Sequence, residues 1–186
     1  ETWYLGEDMG TAVANILMGS YNPGGKLSVP FPKFVGEIPL SFPLKPGADA
    51  GGNASVNGYL YPFGYGLSYT TFQYSDIKID TAAYHAKKEI VVSCHIKNTG
   101  SVVGDEIAQL YIHDEVSSVT SYVRKLRGFT RVSLQPGEEK QVQFVLYKDD
   151  FELLNRQMKC VVEPGWFDIL IGASSEDIKL KYLLKL

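Results

Sequence analysis

The sequence predicts a mainly β protein: an immunoglobulin-like β-sandwich of the fibronectin type III-like kind, preceded by a helix, a strand and a long connector. From about residue 74 to 186, apolar and polar residues alternate in short runs separated by turn residues, the pattern of such a sandwich. The 12 Tyr and 9 Phe favour strands, and the 18 Gly and 9 Pro supply turns. The Cys…Trp…Cys framework of antibody domains is absent, so the fibronectin type III-like variant fits better.

Composition excludes several classes of protein. Of 186 residues, 45% are hydrophobic and 21% charged, which is typical of a globular chain and too apolar for a disordered one. The net charge of -3, without a basic cluster, argues against nucleic acid as a partner. The longest apolar run, Thr11 to Met18, is far shorter than the ~20 residues of a membrane span, so we expect no membrane segment.

Residues 1–35 are predicted to hold the helix and the first strand. The helix follows Gly10-Thr11 and runs to Met18, with three apolar residues at helical spacing on one face: Val13, Ile16 and Leu17. Glu7 and Asp8 precede it, where negative charge suits the helix dipole, and Gly19 ends it. Lys26 to Phe31 is predicted as a short strand. A lone helix and strand cannot bury both faces, so we expect them to join a sheet contributed by other residues and the chain to be the tail end of a larger protein.

Residues 36–73 are predicted to form a connector without regular structure, because prolines and glycines recur throughout. Its second half carries a dense set of aromatic residues, here called the aromatic belt: Tyr59, Tyr61, Phe63, Tyr65, Tyr69, Phe72 and Tyr74. So many rings favour packing across a domain boundary over exposure to water. The alternative is that the belt, with Trp3, binds sugar rings.

Residues 74–186 are predicted to form the sandwich, with one set of apolar positions facing inward on each strand. These sets are Ile77 and Ile79; Ile90, Val92, Cys94 and Ile96; Ala108, Leu110 and Ile112; Val132 and Leu134; Val142, Phe144 and Leu146; Phe167, Ile169 and Ile171; and Ile178, Leu180, Tyr182 and Leu184. Asp149–Leu153 breaks the alternation and is predicted as a short helical turn.

A search for catalytic carboxylates finds no convincing pair. Neighbouring acids on a strand point to opposite faces, whereas hydrolysis needs two carboxyl groups facing one substrate. We therefore interpret all but the first of the adjacent pairs as solvated charges in or beside turns. The pairs are Glu7/Asp8, Asp105/Glu106, Asp114/Glu115, Glu138/Glu139, Asp149/Asp150 and Glu176/Asp177.

Metal sites and nucleophiles are also not predicted. His85, His95 and His113 lack partners at zinc-ligand spacing, although His113-Asp114-Glu115 leaves a hard-cation site open as the less favoured alternative. His95 is expected to be exposed and Cys94 buried, and a Cys94–Cys160 disulfide is the less favoured alternative. Asn53-Ala54-Ser55 matches a glycosylation sequon, which arises often by chance.

Several strings resemble the C-terminal portion of family 3 glycoside hydrolases, in the family's order and over essentially the whole chain. The most specific is the dodecamer Tyr61-Pro62-Phe63-Gly64-Tyr65-Gly66-Leu67-Ser68-Tyr69-Thr70-Thr71-Phe72. Others are Gly6–Ala14, Gly19–Leu27, Asn98-Thr99-Gly100, Gly104-Asp105-Glu106, Leu126-Arg127-Gly128-Phe129, Val162-Glu163-Pro164-Gly165 and Ile171–Ser175. Met9 departs from the glycine common there. Relatives often carry Trp at Cys160, so that residue is expected to pack structurally.

The resemblance implies the C-terminal part of a retaining β-glycosidase, most closely a β-glucosidase, which hydrolyses terminal β-linked glucosyl residues and needs no cofactor or metal. In the family, an Asp in a barrel domain is the nucleophile and a Glu, usually in the α/β sandwich, is the acid/base. Both motifs are expected upstream of Glu1, so no catalytic residue is assigned here, and this segment is expected to be inactive alone. Its implied partners are the upstream barrel and α/β sandwich domains and, through them, the oligosaccharide substrate; a homodimer and the cellular compartment (cytoplasmic, periplasmic or secreted) stay open.

Two alternatives accompany this prediction. β-Xylosidases of the same family share the terminal motifs. A different class is a free-standing immunoglobulin-like module that binds carbohydrate or a cell surface, which would show an exposed, coplanar row of aromatic rings.

Overall fold

A computed structural model describes residues 1–38, 40–46, 58–82 and 89–186. The helix α1 covers Met9–Leu17, and eleven strands follow within the described ranges. They are β1 Phe31–Pro32, β2 Tyr59–Tyr61, β3 Phe72–Asp80, β4 Glu89–Asn98, β5 Gly104–Asp114, β6 Lys125–Leu134, β7 Glu139–Tyr147, β8 Leu153–Leu154, β9 Cys160–Val161, β10 Trp166–Gly172 and β11 Ile178–Lys185. His85 and the sequon Asn53-Ala54-Ser55 lie outside the described residues.

Seven of these strands form the predicted β-sandwich. One sheet has the order β3-β4-β7 and the other β11-β10-β5-β6, and every neighbouring pair in both sheets is antiparallel. A sandwich of three and four antiparallel strands is the architecture expected of a fibronectin type III-like domain.

The core lies between the two sheets and consists mostly of the alternating residues that the sequence marks. Tyr182, predicted to face inward, is instead 41% exposed, because β11 is the edge strand of its sheet. Ile90, Val92, Cys94 and Ile96 of β4 are fully buried, as are Ile169 and Ile171 of β10. The burial of this much apolar surface is the main stabilising term of the domain. In β7, Val142, Phe144 and Leu146 face inward while Gln141 and Gln143 are exposed, as predicted.

A bulge in β3 precedes the first predicted set of inward-facing residues, Ile77 and Ile79, and both residues pack against the core as predicted. Asp76 has a positive φ of 55°, and the pairing with β4 shifts between Ser75 and Lys78. The extra residue reverses the inward-facing parity, so Tyr74 is buried before the bulge, whereas Ile77 and Ile79 pack against the core after it. The predicted helical turn is confirmed as a 3-10 helix, Lys148–Phe151.

The first 69 residues differ from the prediction in two places. The strand predicted over Lys26–Phe31 is wrong: the strand covers Phe31–Pro32 and pairs with β2. The physical reason is that Pro30 has no N–H to donate, while Leu27 instead bonds through its backbone to residues 64 and 65. The connector, predicted to be irregular, contributes strand β2.

Helix α1 ends as predicted but begins earlier, at Met9. Gly19 has a φ of 77°, the left-handed conformation that terminates helices. In this chain α1 has no buried residue. Among the described residues, no helix has the length and apolarity required to cross a membrane.

Candidate functional site

Strand β5 carries the junction between the first 69 residues and the sandwich. Three contacts follow one another along the strand. The Asn22 amide donates to the carbonyl of Val103, which directly precedes β5, at 2.9 Å, and Lys26 pairs with Glu106 at 3.3 Å. The Gln109 amide donates to the Gly64 carbonyl at 3.1 Å. The first segment therefore meets the sandwich along β5, an inner strand of the four-stranded sheet.

Two glycines allow the backbone of the first segment to approach residues of β5 closely. A Cβ on Gly64, which has a φ of 80°, would lie 2.0 Å from Oε1 of Gln109. A Cβ on Gly24 would lie 2.8 Å from Cβ of Asp105. The glycine-rich strings of the sequence are thus required by close packing between segments as well as by turns.

Two asparagines act as polar anchors beside the junction. Oδ1 of Asn22 accepts hydrogen bonds from the Tyr69 backbone N–H at 2.8 Å and the Ser68 hydroxyl at 3.0 Å. Asn98 is fully buried, and its side chain makes four hydrogen bonds, to Thr70, Gly100, Val102 and Leu134. Such networks fix backbone paths because buried polar groups must be satisfied.

The aromatic belt packs on itself and on the sandwich. Tyr61 stacks on Tyr65 with centroids 4.9 Å apart, and Phe63 stacks on Phe42 at 4.4 Å. Phe42 also meets the edge of Tyr111, a fully buried residue of β5, at 5.9 Å. The Tyr69 hydroxyl donates to the Ile16 carbonyl of α1 at 2.7 Å. These contacts favour the interface interpretation over a sugar-binding row.

A charged group lies at the centre of the junction. Nζ of Lys26 is 3.3 Å from Oε1 of Glu106, and the Tyr74 hydroxyl donates to the same oxygen at 2.8 Å. Burial, together with the charge of Glu106, raises the pKa of Tyr74 far above its usual range. Tyr74 therefore stays protonated and serves as a donor. The interpretation of Glu106 as a solvated turn charge is wrong, because Glu106 lies within β5 and is 4% exposed.

A cleft of about 240 Å³ opens beside this charged group, between the two segments. Three carboxylates line it, and each has a cationic partner: Glu106 has Lys26, Asp105 has Arg131 at 3.5 Å, and Asp177 has Lys179 at 2.7 Å. Because their charges are already balanced, these carboxylates do not mark the cleft as a catalytic site.

The other predicted candidates stay apart from the junction. Glu7 and Asp8 are exposed, and the described residues hold no group of three or more ligands placed for a metal ion. His95 is half-buried instead of exposed, because β3 covers it: its Nδ1 is 3.8 Å from the Asp76 carboxylate at the bulge.

Both cysteines are free thiols, so the alternative of a disulfide is not realised. Cys94 is buried as predicted, and burial raises its pKa to about 11. The expected packing role of Cys160 is wrong, because the residue is exposed on the short β8–β9 hairpin.

Apolar side chains of the first 69 residues remain uncovered. Seven large hydrophobic residues there are 65% exposed or more: Tyr4, Leu17, Met18, Phe34, Val35, Ile38 and Leu67. Large exposed apolar patches mark surfaces that contact other proteins, and the chain neighbours Leu17/Met18 and Phe34/Val35 each expose two adjacent apolar side chains.

Comparisons with known proteins agree with this geometry. The sequence model of the Glycosyl hydrolase family 3 C-terminal domain matches residues 1–69, and that of the Fibronectin type III-like domain matches residues 106–175. The chain belongs to glycosyl hydrolase family 3, and it matches the C-terminal region of that family.

Relatives of this family 3 chain match it almost end to end. A β-xylosidase of Formosa agariphila is 45% identical over 97% of the chain and 26% of its own length, and a periplasmic β-glucosidase of Salmonella typhimurium is 38% identical over 96% and 25%. The crystal structure of a β-glucosidase from Listeria innocua in complex with glucose superposes with a TM-score of 0.86 at 33% identity, covering 100% of the chain and 27% of that structure. The chain thus spans about a quarter of the length of the relatives it matches.

Sequence reasoning missed the residues on which the junction depends most, namely Asn22, Lys26, Glu106 and Gln109. Asn22, Lys26 and Gln109 are single polar residues without a local pattern. Glu106 carried one usable signal: it has the inward parity of Ala108, Leu110 and Ile112 on β5, so the alternation itself predicts a buried carboxylate there.

Proposed function

We propose that this chain is the C-terminal part of a retaining β-glycosidase that hydrolyses terminal β-linked glucosyl residues, and that it supports the catalytic domains without supplying catalytic residues. The observation that carries the proposal is that almost the whole chain is similar to about a quarter of the length of β-glucosidases and β-xylosidases, combined with exposed apolar residues on the first 69 residues. Further domains of the same protein would cover that surface.

We propose the division into domains on the same grounds. Residues 1–35 would complete an α/β sandwich domain, 36–73 would be the connector, and 74–186 the fibronectin type III-like domain. In support, α1 has no buried residue, as expected of a helix whose sheet lies elsewhere. A homodimer is compatible with this arrangement.

The test uses the gene region upstream of the codon for Glu1. We expect it to encode a barrel and most of an α/β sandwich, with the Asp nucleophile and the Glu acid/base. The longer protein should hydrolyse p-nitrophenyl β-glucoside with retention of the anomeric configuration, seen by NMR in the first-formed sugar. The 186-residue chain alone, as the matched control, should release no nitrophenol.

A longer protein that lacks a barrel, or that cleaves no β-glycoside, would refute the proposal and favour a binding module. A β-xylosidase is the second candidate, since the relative with 45% identity carries that name. The ratio of kcat/KM for p-nitrophenyl β-glucoside and β-xyloside separates the two.

A further inference from the structure

A buried ion pair joins the two parts of the chain that match different family models. Lys26 lies in the part matched over residues 1–69, and Glu106 is the first residue of the part matched over 106–175. Their side chains are 14% and 5% exposed, so the pair is largely removed from water.

We propose that Lys26, Glu106 and Tyr74 form a charged joint that holds residues 22–27 in a single register on β5. The Tyr74 hydroxyl of the sandwich donates to the Glu106 carboxylate at 2.8 Å, and Nζ of Lys26, in residues 22–27, lies 3.3 Å from the same carboxylate. Glu106 is therefore the acceptor that both segments share.

The chemistry of a buried charge gives this joint its selectivity. If residues 22–27 shifted by one position along β5, Gly25 or Leu27 would lie beside Glu106. The buried carboxylate would then have no cation, which is among the most unfavourable changes in a protein interior. Apolar contacts are non-directional and would tolerate such a slip. A buried ion pair often adds little to the free energy of unfolding compared with an apolar pair of similar size. The contribution of Lys26 and Glu106 is therefore to fix the position of residues 22–27 along β5.

The backbone bonds that follow Lys26 depend on that register. The Leu27 N–H donates to the Tyr65 carbonyl and the Gly64 N–H donates to the Leu27 carbonyl, both at 2.8 Å. These two amides therefore report on the joint, whereas the amides of β4 in the sandwich core report on global stability.

The experiment is amide hydrogen exchange, followed by NMR, on the 186-residue chain. The variant is Lys26→Met/Glu106→Gln, which removes both charges while Gln can still accept from Tyr74. The matched control is Lys140→Met, which removes a lysine whose side chain is 47% exposed and which pairs with Glu138 at 3.0 Å.

We expect exchange at Leu27 and Gly64 to accelerate about tenfold or more in the double variant, with exchange at Val92 within about threefold of the parent. Lys140→Met should leave all three amides within about threefold. Unchanged exchange at Leu27 and Gly64 would overturn the proposal, and equal acceleration at Val92 would also overturn it, since the pair would then act on global stability alone.

A second variant covers the case in which the double variant does not fold. Lys26→Arg keeps the charge and should keep slow exchange at Leu27, whereas Lys26→Gln should accelerate it. Equal exchange in these two variants would also overturn the proposal.

Discussion

Gly64→Ala tests the close approach between the connector and β5. The substituted Cβ would lie 2.0 Å from Oε1 of Gln109, and residue 64 would have to keep a φ of 80°. An L-residue in the left-handed region costs about 1–2 kcal/mol. The clash comes in addition, and it displaces a buried side chain.

The loss at Gln109 can be worked from its hydrogen bonds. Its amide donates to the Gly64 carbonyl at 3.1 Å and the Ala173 carbonyl at 2.8 Å, and its Oε1 accepts from the Tyr111 hydroxyl. Leaving one or two of these buried groups unpaired costs about 1–3 kcal/mol each. With the backbone term, Gly64→Ala should lower the free energy of unfolding by about 3–5 kcal/mol.

The assay is urea denaturation followed by circular dichroism, with Gly137→Ala as the matched control. Gly137 has nearly the same φ, 79°, but its Cβ would meet no atom within 4 Å, so we expect a loss of only about 1–2 kcal/mol. Gln109→Ala combined with Gly64→Ala should lose less than the sum of the two single variants, because the clash disappears. Equal losses in Gly64→Ala and Gly137→Ala would refute the reasoning.

Three further predictions concern other parts of the chain. Ellman's reagent should label Cys160 at once at neutral pH and Cys94 only after unfolding, because Cys94 is buried with its pKa raised to about 11; rapid labelling of two thiols would contradict the fold. Asn98→Ala should lower the free energy of unfolding by about 2–4 kcal/mol in urea titration, since it leaves several of the side chain's buried partners unsatisfied. Hydrogen bonds from Ser118 lower the pKa of Glu163. The contribution of Glu163 to stability is therefore present above the ordinary pKa of a carboxyl group and is lost as the pH falls through its lower pKa in the folded chain. Glu163→Gln should flatten the pH dependence of the thermal unfolding temperature in this acidic range, and an unchanged pH dependence would argue against the contact.

The strands of the sandwich could be predicted because their signal is local. Side chains on a strand alternate between faces. One buried face is therefore predicted within seven residues from the apolar side chains of Ile90, Val92, Cys94 and Ile96. The turn residues between the runs fixed where the strands end, and the helix stop at Gly19 followed from glycine's access to positive φ.

The candidate site could be predicted only in outline. The density of rings in the aromatic belt predicts an interface, because so many rings disfavour exposure to water. The stacks of Tyr61 on Tyr65 and Phe63 on Phe42 fit that expectation. The partner of the belt, Tyr111 on β5, has no signal in the belt itself. The strand predicted over Lys26–Phe31 failed because those residues bond to the connector, not to a neighbouring strand along their length.

The sequence by itself determined the fold class, the inward-facing positions of the strands and the family, since local periodicity and ordered motifs carry that information. Tertiary structure alone decided which charges are buried and which thiol is exposed. Glu106 looks like one acid of a solvated pair until Lys26, which is 80 residues away in the chain, lies beside it. Burial and charge pairing depend on which distant segment covers a residue, and only the folded chain brings those segments together.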